Sequence, residues 1–301
     1  MKILVAPLNW GLGHATRCVP IINHFMQQGH EVVIGGDGLS FKYLSDYFPN
    51  LRSVRLPSLQ LHYSETQTHV WTLFRQLPHF LCWLHNDAKA IQRLQADEHF
   101  DMIISDNRFN FVNRKRSYYA IYITHQLHIA LPAGLRWAEQ IAQRWHQHII
   151  ERYDECWVPD YPDFPSLAGI LSHPQNVPRN IRYIGPLSRF QQYNEIVPTT
   201  NNITTLAIIS GLEPQRSIFE KWIYANYEQD GLMVVNGIPP YPTDEQMAQW
   251  MLHAKTIISR SGYSSIMDYA TLGVMDKVRK IPTPGQPEQE YLAQLHNKHN
   301  K

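Results

Sequence analysis

Short apolar runs that end in glycine or polar turns recur along this chain, and several are followed by apolar residues at helical spacing. Lys2 to Pro7 reads as a buried strand entering the turn Asn9-Trp10-Gly11-Leu12-Gly13-His14. Val19, Ile22, Phe25 and Met26 then mark a helix that runs to Gly29, and His30 to Gly35 is a second strand entering Gly36-Asp37-Gly38. This is a βαβ unit with its glycine loop at the C-terminal end of a strand, where open α/β sheets place ligands. Further strands are expected at Val54 to Pro57, Phe100 to Ser105, Ala120 to Thr124, Glu155 to Val158 and Arg182 to Leu187. His69 to Leu94 is mostly helical, with Pro78 placed to break or kink it, and Ala133 to Glu151 is an amphipathic helix. Two of the strands deliver polar groups at their ends, Asp106-Asn107-Arg108 and His125-Gln126, at the edge that Gly11 to His14 also occupies.

From Ser188 to Asn202 the chain is polar and proline-containing without a hydrophobic period. That predicts a first domain at 1–190, a linker at 191–202 and a second domain at 203–301. The second domain opens with a strand, Thr204 to Ile209, entering Ser210-Gly211-Leu212-Glu213-Pro214-Gln215-Arg216. A strand at Met233 to Val235, a helix at Asp244 to Ala254 and a strand at Thr256 to Ile258 follow, the last leading into Ser259-Arg260-Ser261-Gly262-Tyr263-Ser264-Ser265-Ile266-Met267-Asp268. Gly262 permits a tight turn there, and a helix starting at Ser264 or Ser265 would present its N-terminus to an anion. Ser265 and Asp268 equally fit a capping box, a structural device. Lys280 to Pro282 is a short strand before Gly285.

Length and composition narrow the class. At 301 residues the chain favours two domains of about 100 to 200 residues, and 44% hydrophobic with 18% charged residues is a globular balance. The net charge of +1 gives no field for nucleic acid, so an anionic ligand must be held locally. Cys18, Cys82 and Cys156 are far apart and form no disulfide framework or zinc site, and the start of the chain lacks the pattern of a signal peptide. A cytoplasmic protein is expected, with peripheral contact at the inner membrane face left open. The aromatic stretch from Trp71 to Trp83 reads as core, or alternatively as an acceptor or membrane surface. No metal-ligating cluster is evident, and His296-Asn297-Lys298-His299 reads as a solvated end.

Four motifs taken in order, N-W-G-L-G-H-A-T-R from Asn9, S-G-L-E-P-Q-R from Ser210, S-R-S-G-Y-S-S-I-M-D from Ser259 and P-T-P-G-Q-P-E-Q-E-Y-L-A from Pro282, resemble glycosyltransferase family 28. The resemblance implies an α/β protein of the GT-B type, two Rossmann-like domains with parallel sheets facing a cleft, with no cofactor beyond a UDP-sugar donor substrate. It implies His14 as a candidate general base, the alternative being a helix-capping histidine, with Gly11, Gly13, Arg17, Asp106 and His125 on the acceptor side. For the donor it implies Ser210, Gly211 and Arg216 near the diphosphate, Ser261, Gly262, Ser264 and Ser265 in the anion turn, Asp268 on the ribose, and Gln286, Glu288 and Gln289 on the sugar hydroxyls. The acceptor, whether glycan, lipid-linked sugar or small molecule, is not specified. The second domain is expected to be shortened, with one strand missing between Asn236 and Asp244, Val274 to Arg279 in place of an apolar strand, and no closing helices. Three activities are compatible with these residues: transfer to an acceptor hydroxyl, hydrolysis of a UDP-sugar, and nucleotide binding without turnover.

Overall fold

The computed structural model describes residues 1–59, 69–112, 116–131, 133–193, 203–211 and 213–297, with backbone alone at 69–77 and 133. The chain divides into two compact units, Met1–Gly185 and Pro186–Lys301. The division falls earlier than the expected end of the first domain at residue 190. Phe190 is the physical reason: it is 1% exposed and packs in the core of the second unit with Leu206, Ile257 and Tyr269. Of the expected linker, residues 194–202 lie outside the described residues.

The first unit alternates strand and helix: β1 (Lys2–Pro7), α1 (Leu12–Gln27), β2 (Glu31–Gly36), α2 (Gly38–Tyr47), β3 (Arg52–Arg55), α3 (His69–Glu98), β4 (Met102–Asp106), β5 (Tyr119–Ile123), α4 (Glu139–Ile150), β6 (Glu155–Val158) and β7 (Ile181–Tyr183). Its seven strands are parallel in the order β3-β2-β1-β4-β5-β6-β7. The chain builds outward from β1 in one direction and then returns to add β4 on its other side. The crevice at the C-terminal ends of β1 and β4 is therefore the topological switch point, where doubly wound sheets bind ligands. Strand interiors are apolar on consecutive residues, as a sheet covered on both faces requires: Ile3, Leu4, Val5 and Ala6 are all 0% exposed.

Helix α3 runs unbroken through Pro78, contrary to the expected break. Its aromatic segment divides: Trp83 is 3% exposed and packs with Leu8 and Leu59, whereas Leu81 is 56% exposed. The side chains of Trp71 to Gln76 lie outside the described residues. Ala133 to Glu151 is a six-residue 3-10 turn followed by α4, not one helix.

One ion cluster ties elements at the C-terminal edge of the first sheet together. Arg108, just after β4 and 0% exposed, donates from Nη1 to Asp37 Oδ1 (2.8 Å) after β2 and from Nη2 to Asp87 Oδ1 (2.6 Å) on α3. Nη2 also donates to the Pro57 carbonyl (2.7 Å), and the guanidinium lies 5.6 Å from the Trp83 ring centroid. Removing the cation would leave two buried carboxylates facing each other. Arg108→Ala is expected to cost about 3–5 kcal/mol in urea unfolding; a loss below 1 kcal/mol would show that the cluster is not what holds this edge.

The second unit contains β8 (Thr205–Ile208), α5 (Gln215–Asn226), β9 (Leu232–Val235), α6 (Asp244–His253), β10 (Thr256–Arg260), α7 (Tyr263–Thr271), β11 (Val278–Ile281) and α8 (Pro287–Asn297). Its four parallel strands run β11-β10-β8-β9, so the switch point lies between β8 and β10. Alternate residues face opposite layers, Leu206 and Ile257 toward Met247 and Tyr269, Ala207 and Ile258 toward Phe219 and Ile223. No strand lies between β9 and α6. Val274 to Arg279, expected to lack a strand, instead leads into β11. That strand tolerates Lys280 at 2% exposure because its ammonium donates to the carbonyls of Met275 (3.2 Å) and Val278 (3.1 Å).

Candidate functional site

In the first unit the site grows from α1. Gly11 enters the helix at φ +83°, a left-handed conformation that favours glycine, and a Cβ there would meet nothing within 4 Å. Leu12, Gly13 and His14 then form the first turn, and Arg17 follows on the buried stripe with Ala15, Cys18, Ile21 and Ile22. A cation on a buried stripe requires a counter-charge. Asp106, the last residue of β4 and 0% exposed, supplies it. Arg17 Nε donates to Asp106 Oδ2 (2.5 Å), Arg17 Nη2 donates to Asp106 Oδ1, and Cys18 Sγ lies 3.7 Å from Oδ2.

His14 completes the group, with Nδ1 2.8 Å from Asp106 Oδ1. Burial works against the Asp106 charge, but Arg17 and His14 outweigh it and hold the carboxyl well below the ordinary carboxylate range. An ionised carboxylate only accepts, so we assign the His14 proton to Nδ1, which leaves Nε2 as the basic nitrogen. Arg17 Nη2, a donor, lies 2.8 Å from the same Nδ1, so guanidinium and carboxylate compete for that nitrogen, and the guanidinium charge opposes a second proton on the ring. The His14 pKa is lowered from 6.5, chiefly by burial, with Asp106 opposing and Arg17 and His125 adding to the fall. The side chain nonetheless keeps 14% of its surface exposed. His125, two residues beyond β5 and 5% exposed, stands with Nδ1 3.4 Å from Arg17 Nη1. His14, Arg17, Asp106 and His125, expected at one sheet edge, are thus brought together, and the pairing of His14 with Asp106 replaces its alternative as a cap: α1 has no side-chain cap.

In the second unit α7 begins at Tyr263 with Gly262 as its N-cap, earlier than expected, and no side chain caps it. The capping box of Ser265 and Asp268 does not form, because Ser265 is already in the first turn. Gly262 is not in a strained turn either: at φ −72°, ψ 141° its backbone suits any residue, and a Cβ would meet nothing within 4 Å. What Gly262 leaves is open space at a helix N-terminus beside half-buried Ser264 and Ser265. Ser210 follows β8 by two residues, and Gly211 adopts φ +108° with open space above it.

The expected sugar-side residues form a frame. Ser261 Oγ donates to the Gln289 carbonyl (2.8 Å), Gln289 Oε1 accepts from Thr283 N (2.9 Å), and Gln289 Nε2 donates to Gln286 Oε1 (2.6 Å). The turn after β10 is thereby fastened to the N-terminus of α8, whose first turn carries half-buried Glu288. Arg216 differs from expectation: its guanidinium pairs with Glu213 and lies 3.9 Å from Glu220, so its charge is compensated within the unit.

Arg260, in the S-R-S-G motif, was not expected to take part. It is 6% exposed, pairs with no carboxylate among the described residues, donates from Nη1 to the Pro282 carbonyl (2.8 Å), and lies 4.1 Å from the Phe219 ring centroid. Burial pushes it down to about 10. The motif carried the residue; Glu213 and Glu220, three residues before and four after Arg216, are the helical spacing that signals its compensation, whereas the burial of Arg260 away from carboxylates is set by the fold.

Asp268 Oδ1 accepts from Ser188 Oγ (2.6 Å). Burial pushes its carboxyl up to about 6, against Arg189 and the Ser188 hydrogen bond, with Asp244 adding to the rise. Among the described residues no group of three His, Cys, Asp or Glu side chains could hold a metal ion, and no helix is long and apolar enough to cross a membrane.

Solved structures align over nearly the whole chain. Arabidopsis thaliana UGT89C1, complexed with UDP-L-rhamnose, is 12% identical with a TM-score of 0.53, covering 99% of this chain and 90% of its own. Acinetobacter baumannii MurG is 13% identical with a TM-score of 0.52, covering 97% of this chain and 82% of its own. The fold is GT-B. An uncharacterized glycosyltransferase of Methanosarcina acetivorans is 25% identical over 236 residues, which are 75% of this chain and 59% of that relative. The chain therefore spans less than two thirds of that relative's length. No family model matches the chain.

The Asp268 environment sets a pH dependence. A carboxyl raised from 3.8 to about 6 in the folded chain binds its proton more tightly there than in the unfolded chain. It stabilises the fold below about pH 4, and that contribution is lost as pH rises through about 6. The stability of the protein minus that of Asp268→Asn, from urea unfolding, is expected to fall by about 2–3 kcal/mol between about pH 4 and pH 7. A flat difference would place the carboxylate in a solvated position.

Proposed function

We propose that this protein is a glycosyltransferase that moves a hexosyl or N-acetylhexosaminyl group from a UDP-sugar to an acceptor hydroxyl. The observation that carries this reading is the His14–Asp106 pair at the switch point of a GT-B first domain, with Nδ1 on the carboxylate and Nε2 left basic. Its support includes the name of the Methanosarcina relative and the UDP-sugar bound by the Arabidopsis structure.

In this reading Nε2 of His14 takes the proton of the acceptor hydroxyl as its oxygen attacks the anomeric carbon. The bond from that carbon to the diphosphate oxygen breaks, and UDP leaves with the electron pair, inverting the anomeric centre. Asp106 fixes the tautomer and stabilises the imidazolium that forms, and Arg17 holds Asp106 ionised. In the second unit the uncapped N-terminus of α7 and the uncompensated charge of Arg260 favour the departing diphosphate, while Asp268 is read as the ribose ligand. A half-buried carboxyl whose pKa desolvation raises against its local partners is a common mark of a functional position. The same base acting on water would make the protein a UDP-sugar hydrolase. We read its compartment as cytoplasmic, in keeping with free thiols at Cys18, Cys82 and Cys156.

Product analysis with labelled UDP-N-acetylglucosamine and UDP-glucose, with and without acceptors, tests the reading: acceptor-dependent transfer supports it, and acceptor-independent release of free sugar replaces it with hydrolysis. Absence of UDP binding by calorimetry at millimolar concentration removes both. His14→Ala is expected to lower kcat by about 10² or more with little change in UDP affinity. Because the His14 pKa lies below 6.5, the acid limb of kcat/KM should also lie below pH 6.5; a limb above that value would assign the base elsewhere.

A further inference from the structure

The segment that opens the second unit is fastened by four successive residues. Leu187 N donates to Met267 Sδ (3.3 Å), Ser188 Oγ donates to Asp268 Oδ1 (2.6 Å), Arg189 Nε lies 3.2 Å from Asp244 Oδ1, and Phe190 packs in the core with Leu206, Ile257 and Tyr269. Of these contacts, the one at Ser188 ends on the carboxyl that the glycosyltransferase reading gives to the ribose.

Ser188 is 1% exposed, and both roles of its hydroxyl are assigned. Oγ accepts from Phe190 N (3.1 Å), and its single proton goes to Asp268 Oδ1. At 2.6 Å that bond has the length of a hydroxyl on an ionised carboxylate, which is stronger than a neutral pair. The last torsion of an aspartate is broad, so a carboxyl without such a bond samples many orientations. Here Oδ1 is tied to a hydroxyl, and that hydroxyl to the backbone of a residue whose side chain is 1% exposed in the core. The plane of the carboxyl is thereby set by the hydrophobic interior. Asp268 is half-buried, and its Oδ2 accepts no hydrogen bond among the described residues.

The remaining oxygen selects what can approach it. A carboxylate oxygen accepts from hydroxyl and N–H groups and repels anions. Asp268 is on α7 (Tyr263–Thr271), about 7.5 Å along the axis from the N-terminus that takes the diphosphate in the glycosyltransferase reading. The part of a UDP-sugar that suits it is therefore a hydroxyl-bearing ring next to the diphosphate, and not the phosphates themselves. A fixed acceptor discriminates better than a rotating one, because no orientation has to be frozen when the ligand binds.

We propose that Ser188 is a positioning residue of the donor site: it holds the Asp268 carboxylate with Oδ2 available to the ribose hydroxyls, and so makes the site select ribonucleotides. This rests on the glycosyltransferase reading and names the group that sets its nucleotide preference.

The test is calorimetry on the whole chain with UDP and its 2′,3′-dideoxy analogue at about pH 8, where a carboxyl with a pKa of about 6 is ionised. The parent is expected to bind UDP about tenfold or more tightly than the analogue, the worth of one hydrogen bond to a charged group. Ser188→Ala should narrow that ratio to about threefold or less by weakening UDP alone, as should Asp268→Ala, and the double variant should lose no more than Asp268→Ala does. A side chain that only tied down the segment would weaken both nucleotides alike. Ser188→Cys keeps the shape and offers only a weak S–H donor, so it should narrow the ratio too, and it carries the test if the alanine variant does not fold. The proposal is overturned if the parent binds the two nucleotides equally, or if the folded Ser188 variants keep the parent's ratio or weaken both nucleotides alike. The two levels separate in the parent: no UDP binding at millimolar concentration removes the donor reading and this one with it, whereas UDP binding without discrimination removes the role of Ser188 and leaves the donor reading standing.

Discussion

A carboxylate with no exposed surface sits at the switch point of the first sheet, and the local structure is arranged around its charge. Burying Asp106 alone would cost several kcal/mol, so the chain needs a cation in reach, and Arg17 is that cation. To bring it there α1 must turn a charged residue onto the stripe that otherwise carries Ala15, Cys18 and Ile21. Once that rotation is set, His14 lies one turn earlier on the same side and meets the same carboxylate. The entry to the helix then has to bend sharply away from β1, and Gly11 supplies the left-handed residue that permits it. The ion pair that fixes the helix is thus the one that holds His14 in place.

The second unit uses charge differently. Arg216, which looks like an anion ligand in isolation, is compensated by Glu213, whereas Arg260 is buried against an aromatic ring and backbone carbonyls. Asp268 is likewise held where burial disfavours its ionised form. A cation without a carboxylate and a carboxyl with a raised pKa are both costly to stability. Ser261, Gln286 and Gln289 tie the turn after β10 to the start of α8 through hydrogen bonds.

Much of the architecture was legible because both sheets are parallel and covered on both faces. Such strands are continuous apolar runs, and those at Lys2 to Pro7 and Ala120 to Thr124 are seen at once in the sequence. Boundaries failed where a local signal was outweighed by packing. Pro78 does not end α3, β11 starts at Val278 rather than at Lys280, and the division between units falls at Gly185 because Phe190 packs into the second core. The turn at Gly262 illustrates the limit of motif reading: the glycine and the helix N-terminus were visible, but the backbone is ordinary and the residue's contribution is empty space.

By itself the sequence determined the succession of strands and helices, and the residue types at each strand end: a histidine and an arginine after β1, an aspartate closing β4, a histidine after β5. These are properties of neighbouring residues and of period, and periodicity is local. Only the tertiary structure decided that β4 lies beside β1, which brings Asp106 to within 2.8 Å of His14 across 92 residues of chain. It also decided that Arg17 meets Asp106 and that Arg260 is buried without a carboxylate among the described residues, whereas the pairing of Arg216 with Glu213 is local. For that reason His14 as a candidate base could be named from its motif, while its contact with Asp106, its lowered pKa and the burial of Arg260 follow from the fold.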